Sequence, residues 1–211
     1  GGLIAIELDE GDELAWVRMT DGYQRLIVAT RGGMAICFDE NDARVVGRAA
    51  RGVKAITLDE GDEVVGMSIR REGGLLLTVT ETGYGRLSEL TDYRIQSRGG
   101  KGLTNYHTAE YGDVAGIKVV DPEDDVILIS SEGIIIRMQA CEIRLCRRPS
   151  KGVRVMRVEE GDRIVSLARM PHEEEQPEEE STEEAGESAV PDADEAPAGA
   201  PKAEEPSQPE T

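Results

Sequence analysis

Aromatic residues are scarce in this 211-residue chain: one Trp (Trp16), one Phe (Phe38) and five Tyr make up 3% of it. With so few, Tyr84, Tyr93 and Tyr106 are expected as packing residues rather than base-stacking platforms. No apolar run approaches the ~18 residues of a membrane span, and no signal peptide or acceptor site stands at the start. A soluble, intracellular protein without a membrane partner follows. The three cysteines, Cys37, Cys141 and Cys146, are odd in number and scattered, so they do not read as a disulfide framework. Only His107 and His172 could join Cys141 and Cys146 around a soft metal, and buried thiols are the plainer reading. No Ser-His-Asp, Cys-His or phosphate-loop arrangement is present, so no catalytic residue, metal or cofactor is assigned to the chain. Helical stripes of useful length are missing as well.

The net charge of −19 is unevenly placed. Residues 171–211 hold 15 Asp and Glu and one Lys, leaving 28 acidic and 23 basic residues in 1–170. The acidic stretch has almost no large apolar side chains to offset its chain entropy, so disorder is expected there. It reads either as a solubilising tail or as an acidic competitor for a basic surface on its own domain. The chain opens at Gly1 on the strand-like GGLIAIELDE, and is read as part of a longer protein.

What the chain does have is a repeat of fifty residues. GGLIAIELDEGDELA (1–15), RGVKAITLDEGDEVV (51–65), KGLTNYHTAEYGDVA (101–115) and KGVRVMRVEEGDRIV (151–165) align, with one extra residue in the third copy. Gly2, Gly52, Gly102 and Gly152 share one frame. Gly-Asp pairs recur at 11–12, 61–62, 112–113 and 161–162, and read as hairpin turn chemistry. Turn glycines are assigned at Gly32, Gly83 and Gly133, after the apolar runs LIVATRG, LLLTVTETG and VILISSEG. VKAITL alternates, with Val53, Ala55 or Ile56, and Leu58 placed for half-burial; VVGMSI, LLLTVT and YGRLSEL supply three more short strands. Four strands per ~50 residues predict an all-β fold of radial four-stranded blades, with repeats at 1–50, 51–100, 101–150 and a partial copy at 151–170. The Gly-His and Trp-Asp marks of one propeller family and the paired glycines and aromatics of kelch repeats are missing. Asp121, Glu123, Asp124 and Asp125 read as an exposed acidic loop.

A basic corner keeps the same period: RAARG (48–52), RGGKG (98–102) and RPSKG (148–152). The second lies within Gln-Ser-Arg-Gly-Gly-Lys-Gly (96–102). This resembles the signature box of the DNA gyrase A family: a Gln, two basic residues, two Gly, a basic residue and Gly. Ser97 stands where Arg or Lys is usual. VVGRAARGVKAITLDEGDEVVGM (45–67), TETGYGRLSELTDY (80–93) and SKGVRVMRVEEGDRIVSL (150–167) look like later blades of the same C-terminal domain, and an acidic tail after the last blade is typical of it. The resemblance spans essentially all of 1–170. It implies a six-bladed β-pinwheel with strand exchange between blades, of which this chain carries about three. It also implies a parent type II topoisomerase, an isomerase that introduces negative supercoils using ATP, with gyrase A and gyrase B subunits in an A2B2 assembly. That enzyme's nucleophilic tyrosine, ATP and Mg belong to other domains, and a cytoplasmic, nucleoid-associated location goes with it. The related topoisomerase IV A protein is the nearer alternative, disfavoured by the near-intact box; a propeller-type protein-interaction scaffold is the other.

Under this reading the basic corners meet double-stranded DNA. A duplex bound without base reading needs Lys and Arg spaced along a curved surface. The candidates are Arg48, Arg51, Lys54, Gln96, Arg98, Lys101, Arg147, Arg148, Lys151 and Arg154. Gly99 and Gly100 are expected to let backbone N–H groups approach a phosphate. No groove-reading helix is evident, so weak sequence preference is expected.

Overall fold

The computed structural model describes residues 2–171; apart from Pro171, the acidic tail lies outside the described residues. The strands run in chain order: β1 (Arg25–Thr30), β2 (Met34–Asp39), β3 (Val64–Ile69), β4 (Leu75–Thr80), β5 (Tyr84–Glu89), β6 (Leu103–Thr104), β7 (Val114–Val120), β8 (Asp125–Ser130), β9 (Ile135–Gln139), β10 (Val153–Arg154) and β11 (Ile164–Met170). They form three antiparallel sheets, ordered β3-β1-β2-β6, β10-β5-β4-β7 and β11-β8-β9.

Each sheet takes a hairpin from one repeat and a third strand from the next. The first two take a two-residue fourth strand from the repeat after that. A blade is therefore assembled from successive repeats, and the strand exchange implied by the resemblance is present. The alternation read at 53–58 forms no strand, and neither do residues 2–10. Their counterparts, β6 and β10, exist only as ladder partners of hairpins that precede them by more than sixty residues. The extra residue of the third repeat is taken up by a single helical turn, α1 (Thr108–Tyr111).

The middle strands explain why the blades stack. LIVAT and LLLTVT are almost continuously apolar and almost entirely buried, because a blade's two faces both meet neighbours. Ile27, Cys37, Leu76, Tyr93 and Ile117 form one inter-blade core; Leu77, Leu87, Val126, Leu128, Ile143 and Leu167 belong to a second. Each such side chain contributes about 1.5–3 kcal/mol of burial. Of the three thiols only Cys37 is buried; Cys141 is exposed and Cys146 half-buried, which corrects the reading of all three as core.

Two of the three turn glycines read from the sequence, Gly83 and Gly133, hold the left-handed hairpin tip, and the other is off by one residue. The left-handed residue is Gly33 (φ 89°), equivalent to Gly83 and Gly133, rather than Gly32. Gly32 donates its N–H to the Asp62 carboxylate at 2.7 Å. The Gly-Asp pair at 61–62 thus fastens the neighbouring hairpin as well as turning the chain. Asp162 repeats the motif, accepting from the Ser131 hydroxyl (2.8 Å) and the N–H groups of Glu132 (3.1 Å) and Arg163 (2.7 Å). Desolvation opposes its charge, but these donors and the Ser130 hydroxyl outweigh it and hold the carboxyl at about 2. A carboxyl depressed below its unfolded value of about 3.9 stabilises the fold above that pH and loses the effect as pH falls toward 2. Melting temperatures of the parent and Asp162→Asn, taken between pH 5 and pH 2, are expected to converge at the acid end and to differ above pH 4.

Candidate nucleic-acid interface

The corner sequences QSRGGKG (96–102) and CRRPSKG (146–152) lead into β6 and β10, the strands at the outer edge of the first two sheets. Both are built alike. Parallel bridges join Cys37 to Ile95 and Leu87 to Leu145. The N–H of Gln96 then donates to Cys37 O (2.8 Å), and that of Cys146 to Leu87 O (2.9 Å). The Gln96 side-chain nitrogen is buried without a hydrogen bond.

Arg98 and Arg148 make the same pair of bonds fifty residues apart. Arg98 donates from Nε to Asp42 O (2.7 Å) and from Nη1 to Lys54 O (3.0 Å). Arg148 donates from Nε to Asp92 O (2.7 Å) and from Nη1 to Thr104 O (3.1 Å). Each guanidinium fork clamps the turn that ends one hairpin to the outer segment of the next repeat. These arginines hold the corner with Nε and Nη1, two of the three nitrogens of each guanidinium. Of the two glycines, Gly99 gives its N–H to Ala55 O (2.7 Å), and the carbonyls of Gly99 and Gly100 accept from Thr57. The Gly99 amide is therefore closed to an anion.

The lysines and the remaining arginines point outward. Lys101 is exposed and reaches Asp59 at 2.7 Å, whose hydrogen bond and charge raise its pKa. Lys54 and Arg147 are exposed, with no side-chain partner among the described residues. Lys151 Nζ lies 4.2 Å from the centroid of the Tyr84 ring, and the Arg154 guanidinium lies 5.0 Å from it. Arg154 donates to the Tyr84 hydroxyl at 2.8 Å. Hydrogen bonds from Arg154 and Lys151 lower the Tyr84 phenol below its ordinary value. Tyr84, expected in packing, is instead a half-exposed seat for two cations; Tyr93 and Tyr106 are buried as expected. Arg51 is engaged at 3.3 Å by Glu7 and at 3.1 Å by Asp9. Arg48, in frame with Arg98 and Arg148, is exposed and makes neither of their bonds.

Sequence reading missed Arg86. It is fully buried, with no carboxylate in ion-pair range among the described residues. It donates to Asn105 O (2.6 Å), Asn105 Oδ1 (2.9 Å) and Ser88 Oγ (3.0 Å), and lies 4.8 Å from the centroid of the Tyr106 ring. Burial pushes Tyr106 up to about 12, and its hydroxyl donates to the Lys151 carbonyl. A buried cation network thus lies beneath the Lys151 corner. The signal was present in the repeat: Arg86 replaces Ile36 and Ile136 of the same frame, while Tyr106 replaces Ile56 and Met156. The acidic cluster is also not an exposed loop. Asp124 and Asp125 are buried, and Arg71, Arg169 and Arg137 pair with the cluster.

Blades built by strand exchange from fifty-residue repeats, with cationic corners on the outer edge, define a propeller-like repeat domain. The chain belongs to the family described as DNA gyrase C-terminal domain, beta-propeller, which matches over residues 1–21, 24–69, 74–121 and 124–169. It is similar to the DNA gyrase A protein of Halalkalibacterium halodurans, 57% identical over 186 residues, covering 87% of this chain and 22% of that one. A solved DNA gyrase A C-terminal domain superposes with a TM-score of 0.73 and 26% identity, covering 80% of this chain and 58% of that one. The C-terminal domain of a DNA topoisomerase IV gives 0.74 and 28%, covering 78% and 52%. The chain spans about a fifth of the length of the curated relative.

Proposed function

We propose that this chain binds and bends duplex DNA as the C-terminal region of a DNA gyrase A protein, supporting ATP-dependent negative supercoiling by the parent enzyme. The observation that carries this reading is the corner itself. On two adjacent blades the same backbone geometry delivers a lysine, Lys101 or Lys151, to the outer edge, while an arginine behind it fixes the turn. A repeated cation on a curved edge suits a line of phosphates and carries no sequence information. Bending a duplex costs about 1–6 kcal/mol per 20–30 base pairs, which successive contacts offset. The parent would assemble gyrase A and gyrase B subunits, use ATP and Mg at sites in other regions, and work on the nucleoid. Lys54, Lys101, Arg147, Lys151 and Arg154 are the proposed phosphate contacts; Arg98, Arg148, Gln96 and Gly99 shape the surface that presents them.

Binding of the intact chain to linear duplexes of unrelated sequence, at stepped salt, tests the reading. Similar affinities with a log–log salt slope several units negative support it. A folded chain that binds no duplex at low salt returns the edge to a protein-interaction scaffold.

A further inference from the structure

The inner strands β3, β7 and β11 pack side by side, and bring Ser68, Lys118 and Ala168, each fifty residues apart, around one cavity. Its volume is about 370 Å³, and Arg18, Arg71, Leu167 and Arg169 complete much of its wall. Asp121 and Asp124 answer two of the four cations: Arg71 meets Asp121 at 2.7 Å, and Arg169 pairs with both carboxylates. Lys118 and Arg18 have no carboxylate in ion-pair range among the described residues, so two positive charges are surplus. Lys118 is half-buried; burial first, and then the Arg18 charge, lower its pKa. Arg71 Nη2 is buried without a hydrogen bond, 3.9 Å from Asp124. Arg18 is exposed and donates to Val17 O at 2.8 Å; two cations without carboxylates on one wall, beside an unsatisfied donor, leave it short of an anion. The outer-edge residues do not line this cavity, and it is too small for a duplex, whose major groove alone is about 12 Å wide.

We propose that this inner cavity binds a small phosphate-bearing anion of the diphosphate class, held by Lys118 and Arg18 with Arg71 Nη2 as a further donor. Guanidinium and ammonium groups converging on one space suit phosphate oxygens, and a doubly charged group balances the surplus.

Calorimetric titration of the whole chain with inorganic pyrophosphate, at fixed ionic strength, tests the site. Saturable one-site binding is expected, at least tenfold weaker in Lys118→Met and in Arg18→Gln, unchanged in Lys151→Ala, and unaffected by saturating linear duplex. If Lys118→Met fails to fold, Arg18→Gln decides, since Arg18 lies outside every strand. Absence of saturable heat, or parental affinity in the folded variants, overturns the proposal. So does loss of binding on Lys151→Ala or on adding duplex, which places pyrophosphate on the outer edge. Duplex affinity of Lys118→Met stays parental under the proposal, so this test is separable from that of the DNA-binding reading.

Discussion

Alanine at Lys54, Lys101, Arg147, Lys151 and Arg154 together is expected to flatten the salt dependence of duplex binding by about 4.5 units and to weaken binding at 0.1 M salt roughly 10³–10⁴-fold. Each cation that neutralises a phosphate releases condensed counterions and contributes about 0.9 to the log–log slope. All five side chains project from the outer edge or its flanks, and none is bonded to a backbone carbonyl in the way Arg98 and Arg148 are. The informative comparison is Arg98→Ala with Arg148→Ala. Those changes remove clamps between repeats, so they are expected to lower the melting temperature while leaving the slope of the folded protein close to parental. Fluorescence anisotropy against salt, beside thermal melts of the same samples, separates the two classes. A fivefold variant with the parental slope would remove the corners from the binding surface.

Gly152→Ala is expected to destabilise the domain by about 2–5 kcal/mol. Gly152 has φ 73°, where an L side chain is strained by about 1–2 kcal/mol. A Cβ there would also meet the Gly85 carbonyl and lie 2.7 Å from Arg86 Cβ, and overpacking of this kind costs about 1–3 kcal/mol. The close approach arises because β10 lies directly against β5, brought together across more than sixty residues. Gly61 is the control: φ is 76° but no atom lies within 4 Å of its Cβ position, so Gly61→Ala is expected to cost only the conformational part. Melting temperatures followed by circular dichroism should fall on the order of 10 °C for Gly152→Ala and by much less for Gly61→Ala. Equal shifts would remove the steric argument.

The repeat and the β character were legible because both are written locally. Apolar runs such as LLLTVT, turn glycines and Gly-Asp pairs recur at fixed spacing, and each needs only its own few residues to be recognised. Which strand joins which sheet was not legible from the residues. VKAITL and VRVMRV look alike, yet Val153–Arg154 forms a strand against Tyr84 and Gly85 and Val53–Lys54 forms none, and a partner more than sixty residues away leaves no local mark. The same nonlocality hid the roles within the corner. Arg98 and Lys101 are equally basic in sequence, but Arg98 bonds to carbonyls 44 and 56 residues away, while Lys101 reaches into the exposed surface. Arg86 escaped notice because a cation in an apolar frame position reads as surface until Asn105 and Tyr106 are seen to enclose it.

Ligation of nicked circular DNA in the presence of the intact chain tests most directly whether these corners curve a duplex. A contour followed around successive blades fixes writhe, so the closed circles are expected to show a linking-number change that grows with bound protein. The fivefold corner variant, compared at equal occupancy, should leave linking number unchanged. Stoichiometric binding without any topological shift, or the same shift from the variant, would contradict the account.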